Sequence, residues 1–428
     1  MSKPVFYGWV LLGVLWFVFA FNLGFPAYGG PVLNSAMAKD LGFSRETLGL
    51  ITTFYIIMSG LPGPLVATAV NRFGARRTLI AGSLLNVAGA ASMVYANSGI
   101  AAYLGFGLVV GGGVCSGAAI ASQTALSRWF VRRRAAALSI LYSSGAIGGY
   151  LAVQYVLPWA MRTGGGWRAG WWVIVTLSSI AALLAFGFVR ERPEEMGLLP
   201  DGDAGDAAAR SAAATRPDYI TATPWDSRDA LRRPTYWLIV FSLVGGSGGY
   251  TLYLAHGIVH MQDLGHSVDV ARGALATMTW TGLIAKAVIV LFGTVAPRLD
   301  PRWLWGVFML FFGAGLVIIV DARTMLAVNA FATCLGIGFG GGVVCLMAVL
   351  GNYYGLKAFA LLSGIAIAIN TTLSAIAPYV AGYLFDHGYG YGGICYVLAA
   401  WCFLGALVLF AVRRPAVPAL PAVAQVAA

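Results

Sequence analysis

Twelve stretches of this chain are apolar for long enough to cross a bilayer, where about 20 residues suffice. They run Tyr7–Pro31, Leu48–Val70, Thr78–Tyr95, Ile100–Leu126, Ala135–Pro158, Ala169–Val189, Tyr236–Gly257, Ala271–Val295, Trp303–Val320, Met325–Leu350, Ala358–Phe385 and Gly392–Val412. The pattern predicts an all-α membrane protein with twelve transmembrane helices. Only 10% of the 428 residues are charged, whereas a soluble globular chain carries about 25%. The first run begins at Phe6 and is too long for the core of a signal peptide, so it counts as a span.

The net charge of +11 raises the question of a nucleic-acid partner. The basic residues, however, lie in short runs between apolar segments, the footprint of the positive-inside rule. With a cytoplasmic N-terminus, the inside segments hold 20 Lys and Arg and the outside loops 6. Both termini are therefore expected inside. The five cysteines all fall in apolar spans without paired spacing and read as small buried hydrophobes. No helical metal motif, nucleophile elbow or paired carboxylate is present, so neither an enzyme nor a cofactor is expected.

One connection is long. Residues 191–234 form a cytoplasmic linker, polar and alanine-rich, whose end (PWDSRDALRRPTYW) reads as an amphipathic helix at the membrane surface. It separates an N-terminal six-helix bundle at 1–190 from a C-terminal one at 235–412, and 413–428 reads as a disordered tail. The halves repeat. Asp40-Leu41-Gly42-Phe43-Ser44 precedes the second span, and Asp263-Leu264-Gly265-His266-Ser267 precedes the eighth. A duplicated six-span unit is how many secondary transporters are built, with the substrate site near the midplane between the halves.

Lys286 is the only formal charge at the centre of a span. An ammonium there costs at least ~2.5–3.5 kcal/mol on insertion scales, so it should face a protein interior or a water-filled path. It reads as the counter-ion of an anionic substrate. Snorkelling to the interface is the competing explanation, and about ten residues to either end of the span make that difficult. Nine further residues complete the expected pocket. These are Asn22 and Tyr28 in span one, Ser116 and Gln123 in span four, Tyr142 in span five, Tyr250 and Tyr253 in span seven, Trp280 in span eight and Asn370 in span eleven. Each polar group could equally bond helix to helix, and each aromatic could simply pack. His256 and His260, at the outer end of span seven, could sense pH or serve as interfacial residues. The glycine-rich stretches of spans four, five and ten read as close helix packing.

Several motifs resemble the major facilitator superfamily. The loop Gly63–Arg77 (GPLVATAVNRFGARR) is similar to that superfamily's signature between spans two and three, with Asn71 in place of the usual acid and Ala67 in place of a glycine. Tyr7-Gly8-Trp9, the run Arg128–Arg134, Arg192–Gly197 and Ala377–Asp386 resemble the monocarboxylate porter and oxalate:formate antiporter branch. That branch carries an arginine in span eight as its carboxylate anchor. Counting from Asp263 the position falls on Lys286, and counting back from Gly293–Pro297 it falls on Ile289. Lysine would act there as a point charge where arginine offers a bidentate fork. The lysine and acid of proton-coupled members are replaced by Ala27 and Gly282, and the second cation of the oxalate exchanger by Asn370.

The resemblance implies a multi-pass protein of a cell inner membrane that moves a small organic anion by alternating access, and the excess of arginine over lysine with abundant alanine and glycine points to a bacterium. A monocarboxylate is expected, handled by a monomer in the lipid bilayer, with symport, exchange and uniport all open. A drug exporter of the same fold, or a non-transporting receptor, is the alternative.

Overall fold

The computed structural model describes residues 6–130, 134–202, 221, 225–295 and 299–415. Every regular element among them is helical. Eleven helices are long and apolar enough to cross a membrane among the described residues. They are α1 Tyr7–Leu41, α2 Arg45–Phe73, α3 Ala75–Val94, α4 Gly99–Trp129, α5 Ala137–Thr163, α6 Trp167–Phe188, α7 Pro234–Asp263, α9 Pro301–Ile319, α10 Met325–Gly355, α11 Leu361–Asp386 and α12 Gly392–Ala411. Between α7 and α9 stands α8, Val268–Val295, 28 residues long. It carries Lys286.

The helices end where local chemistry ends them. Gly42 (φ 70°) and Gly265 (φ 93°) occupy the left-handed region, which costs glycine no Cβ clash. Two residues later a serine caps the next helix: Ser44 Oγ accepts from Thr47 N at 3.1 Å, and Ser267 Oγ from Val270 N at 3.3 Å. The repeated pentapeptide is thus one turn built twice, a C-cap glycine followed by an N-cap serine. Gly355 (φ 74°, ψ 170°) breaks α10 from α11. Longer helices carry π-helical stretches. That of α1, Ala20–Gly29, contains Pro26, whose missing N–H disrupts the regular ladder.

Two apolar cores lie among α1–α6, one around Leu11, Leu15, Trp129 and Leu141, the other around Phe25, Tyr55, Phe106 and Trp171. Two more lie among the later helices, around Leu252, Phe312 and Phe331 and around Tyr236, Trp305 and Tyr354. Glycines set the closest approaches. A Cβ on Gly82 would lie 2.1 Å from Gly117 N, and one on Gly113 2.7 Å from Asn86 N, so α3 and α4 touch backbone to backbone.

The two sets of helices meet along α2 and α11 at the end bearing Arg45. Arg45 Nη2 donates to both oxygens of Asp263, at 2.7 and 3.0 Å. Asp386, at the end of α11, accepts from Arg45 N at 3.3 Å and Glu46 N at 2.8 Å, capping the N-terminus of α2. Below this, Thr53 Oγ1 donates to Ala375 O at 2.6 Å. Cβ atoms on Gly49 and Gly382 would each lie 2.3 Å from a carbonyl oxygen of the partner helix, Pro378 O and Arg45 O.

At the opposite end Glu191 ties the α2–α3 turn, accepting from Ala75 N at 3.0 Å, Arg76 N at 2.8 Å and Arg128 Nη1 at 2.9 Å. Gly74 (φ 88°) admits this carboxylate, since a Cβ would stand 2.4 Å from Glu191 Oε1. Residues 203–220 and 222–224 of the linker, and those beyond 415 in the expected disordered tail 413–428, lie outside the described residues. The linker's last part forms a five-residue helix, Ser227–Leu231, shorter than the expected amphipathic one. It packs onto protein: Trp225 is 2% exposed, and its backbone N–H donates to Tyr354 O at 3.3 Å.

Candidate functional site: a central cavity on Lys286

Between the two sets of helices lies a cavity of about 660 Å³. Helical spacing decides which side chains reach it. From α8 come Met278 and Thr279, then Gly282 and Leu283, then Lys286 and Ala287, a stripe at the three-and-four interval that places residues on one helix face. From α10 come Gly336, Phe339, Gly340, Val344 and Met347, and from α5 Leu138, Ser139, Tyr142, Ser143 and Ala146. Tyr28 of α1 and Tyr250 of α7 complete the wall. In α5 and α10 the lining falls largely in the portion nearer the linker end.

Lys286 is the one charged residue in this lining, and it is half-buried. No hydrogen bond or ion pair reaches it among the described residues. Placing an ammonium in apolar surroundings without a partner is costly, and an anion entering the cavity would supply one. Tyr250 stacks on Phe339 with ring centres 3.5 Å apart and planes 4° from parallel. Tyr28 lines the same cavity. Tyr142 meets Phe19 edge to face at 5.5 Å.

Backbone contact holds α8 against α10. A Cβ on Gly340 would lie 2.3 Å from Gly282 O, and one on Gly336 2.4 Å from Met278 O. At Gly282 a Cβ would come within 3.2 Å of Gly336 O. An acid there would be pressed toward carbonyl oxygens, so glycine suits this crossing. Of the two register candidates, Lys286 lines the cavity, while Ile289 packs into the core with Trp305 and Leu346.

The structure thus brings Lys286, Tyr28, Tyr142 and Tyr250 together, and places the other six expected residues outside this lining. Asn22 is fully buried between α1, α3 and α4: its Nδ2 donates to Ser83 Oγ at 2.7 Å and Gly117 O at 2.9 Å, and its carbonyl O accepts from Asn86 Nδ2 at 3.1 Å. Ser116 Oγ donates to Gly112 O of its own helix at 2.8 Å. Gln123 is half-buried on α4. Tyr253 is buried edge-on to Phe331 at 5.8 Å. Trp280 lies 5.7 Å from the Tyr150 ring and is 49% exposed, six residues from Lys286 and so on another helix face. Asn370 is half-buried on α11, its Oδ1 unpartnered.

Phe339, Met278, Thr279, Ser139 and Ser143 also line the cavity, and their residue types alone do not single them out. Stepping back from Lys286 by four and seven residues finds Gly282 and Thr279. Phe339 is concealed in a glycine-rich run that reads as packing. The histidines are engaged structurally: His256 Nε2 with Pro378 O at 2.8 Å, His260 Nε2 with Ile319 O at 2.9 Å, and His266 Nε2 with Ala322 O at 2.6 Å. With Nε2 of His256 donating, its Nδ1 accepts from Tyr391 Oη at 3.2 Å.

A sequence profile described as Major Facilitator Superfamily matches residues 15–320. Among curated proteins, the chain is 29% identical over 164 residues to "Monocarboxylate transporter 3" of Mus musculus, covering 38% of this chain and 32% of that protein. It is 22% identical over 391 residues to "Monocarboxylate transporter 2" of Mesocricetus auratus, covering 89% and 78%. It is 30% identical over 176 residues to "MFS transporter asaE" of Aspergillus flavus, covering 40% and 37%. The match spans about a third of the length of the first relatives, 32% and 33%.

Proposed function

The chain belongs to the Major Facilitator Superfamily, and on that premise we propose that it moves a small organic anion, a monocarboxylate, across a plasma membrane by alternating access, with Lys286 as the counter-ion. The observation that carries this reading is the ammonium on the wall of the cavity between the helix sets, unpaired and the sole charge in that lining among the described residues. The relatives' names point to the same substrate class. We take α1–α6 and α7–α12 as two bundles, α8 as the twelfth span, and both termini as cytoplasmic on the arginine and lysine count. In that orientation the Arg45 end is outside and sealed by α2 against α11. The cavity then faces the cytoplasm, one end state of the rocking cycle.

Charge matching sets the valence. A monocarboxylate on Lys286 leaves an occupied core near neutral, whereas a dicarboxylate leaves one carboxylate unpaired, and burying an unpaired ion costs several kcal/mol. The test is counterflow of a radiolabelled monocarboxylate in proteoliposomes, at a pH where all competing acids are ionised. Lactate or pyruvate should compete at lower concentration than oxalate, malonate or succinate. Lys286→Gln should abolish counterflow in a protein that still purifies as a monodisperse species, and Lys286→Arg should keep part of it, since charge survives but shape changes. Near-normal counterflow by the glutamine variant, or equal competition by dicarboxylates, would remove the basis for this reading.

A further inference from the structure

Once the carboxylate is placed on Lys286, most of the cavity remains to be filled. Side chains on a helix lean toward its N-terminus, so Lys286 is tilted toward the turn holding Thr279 and Gly282. Four residues of rise, about 6 Å, bring that turn to the level where Gly282 crosses Gly340, beside Phe339. Tyr28 and Tyr250 line the same cavity and offer hydroxyl donors that a carboxylate could share.

Beyond them the wall carries no charge. Leu283 and Met278 on α8, Val344 and Met347 on α10, and Leu138 and Tyr142 on α5 give it an apolar surface. A three-carbon hydroxy acid would occupy a small part of about 660 Å³, a volume within the roughly 300–1,000 Å³ of sites that enclose drug-sized ligands. It would also leave that apolar wall facing water. A larger apolar body would cover the wall and gain in proportion to the area removed from water.

Resting on the proposed anion reading, we infer that the site selects monocarboxylates with an extended apolar body, aromatic acids foremost, over short hydroxy and keto acids. The carboxylate pairs with Lys286, and the body lies along Phe339, Tyr142, Val344 and Met347. Planar rings are favoured because aromatic side chains bound the space, and edge-to-face or offset contacts add to simple burial.

Ligand-dependent thermal stabilisation of the purified full-length protein, repeated as competition in counterflow, tests this with acetate, lactate, hexanoate, benzoate and phenylacetate, and with phenylacetamide as the uncharged control. Phenylacetate should half-saturate at a concentration roughly tenfold or more below lactate, as burial of a phenyl ring implies, with hexanoate between them. Phe339→Ala should narrow the phenylacetate-to-lactate ratio, whereas a variant damaged only in folding would lower both responses together. Lactate acting at or below the concentration of phenylacetate overturns the inference while leaving the anion reading intact. Phenylacetamide acting as well as phenylacetate, or a response unchanged in Lys286→Gln, overturns the anion reading itself and the inference with it.

Discussion

Asn22 illustrates why a polar residue inside a span is a poor guide to a binding site. Its amide needs partners in a dry interior, and here they come from α3 and α4: Nδ2 donates to Ser83 Oγ at 2.7 Å and Gly117 O at 2.9 Å, and Oδ1 accepts from Asn86 Nδ2 at 3.3 Å. Lys286 differs because neighbouring helices leave its charge unmatched. The contrast is measurable. Asn22→Ala strands several buried polar groups, each worth about 1–3 kcal/mol, so it should lower the midpoint of thermal unfolding in detergent while ligand concentration dependence stays close to wild type. A variant with normal stability and a large loss of affinity would instead put Asn22 in the substrate path. Lys286→Gln should do the reverse, leaving unfolding little changed while removing anion-dependent stabilisation.

Helix by helix, glycines determine where the bundle is tight. The α2–α11 contact depends on Gly49 and Gly382, each of which has room for nothing larger than hydrogen. The Arg45–Asp263 pair above them is partly exposed, with side chains 23% and 34% accessible, and exposed pairs contribute about 0–1 kcal/mol. Backbone packing is therefore expected to dominate the seal. Gly382→Val should open this end more than Arg45→Gln does. Alkylation of a cysteine introduced at Leu48, which is buried beside Val259, on a cysteine-free background reports the difference; equal rates in the two variants would return the ion pair to first importance. The α2–α3 turn has its own constraint in Gly74. Gly74→Ala combines a strained φ of 88° with a Cβ 2.4 Å from Glu191 Oε1. It should release the cap on α3 and the contact to Arg128, lowering thermal stability by about 1–3 kcal/mol.

For the molecule as a whole, energetic coupling follows from where ionisable groups are. Among the described residues no Asp or Glu lines the cavity, and none lies inside any of the twelve apolar runs. A carboxylate relay of the kind found in proton-driven carriers has no residues to run on there, and the four histidines, His256, His260, His266 and His387, all near the Arg45 end, are tied to backbone carbonyls. Exchange or facilitated movement of the anion is the expected mode. In proteoliposomes, substrate counterflow should proceed at zero pH gradient, and an inward proton gradient imposed without a membrane potential should add little to net uptake. Strong stimulation by that gradient would require the proton to travel on the substrate or on Lys286.

Length of apolar run and the cost of a buried charge are local properties, and both are written along the chain. They are why the helical membrane fold, the superfamily and the prominence of Lys286 could be read before any coordinates, and why Gly42-Phe43-Ser44 and Gly265-His266-Ser267 announced the same turn. Side-chain company is not local. Whether Tyr250 or Tyr253, three residues apart on α7, turns to the cavity depends on how that helix is rotated, and rotation is set by contacts with helices far away in sequence. Phe339 joins the site because Gly336 and Gly340 let α10 lie against Gly282 of α8, an approach that no single segment encodes. The sequence determined what each helix must avoid exposing to lipid; the tertiary structure, through backbone contacts at paired glycines, decided which residues share the space around Lys286.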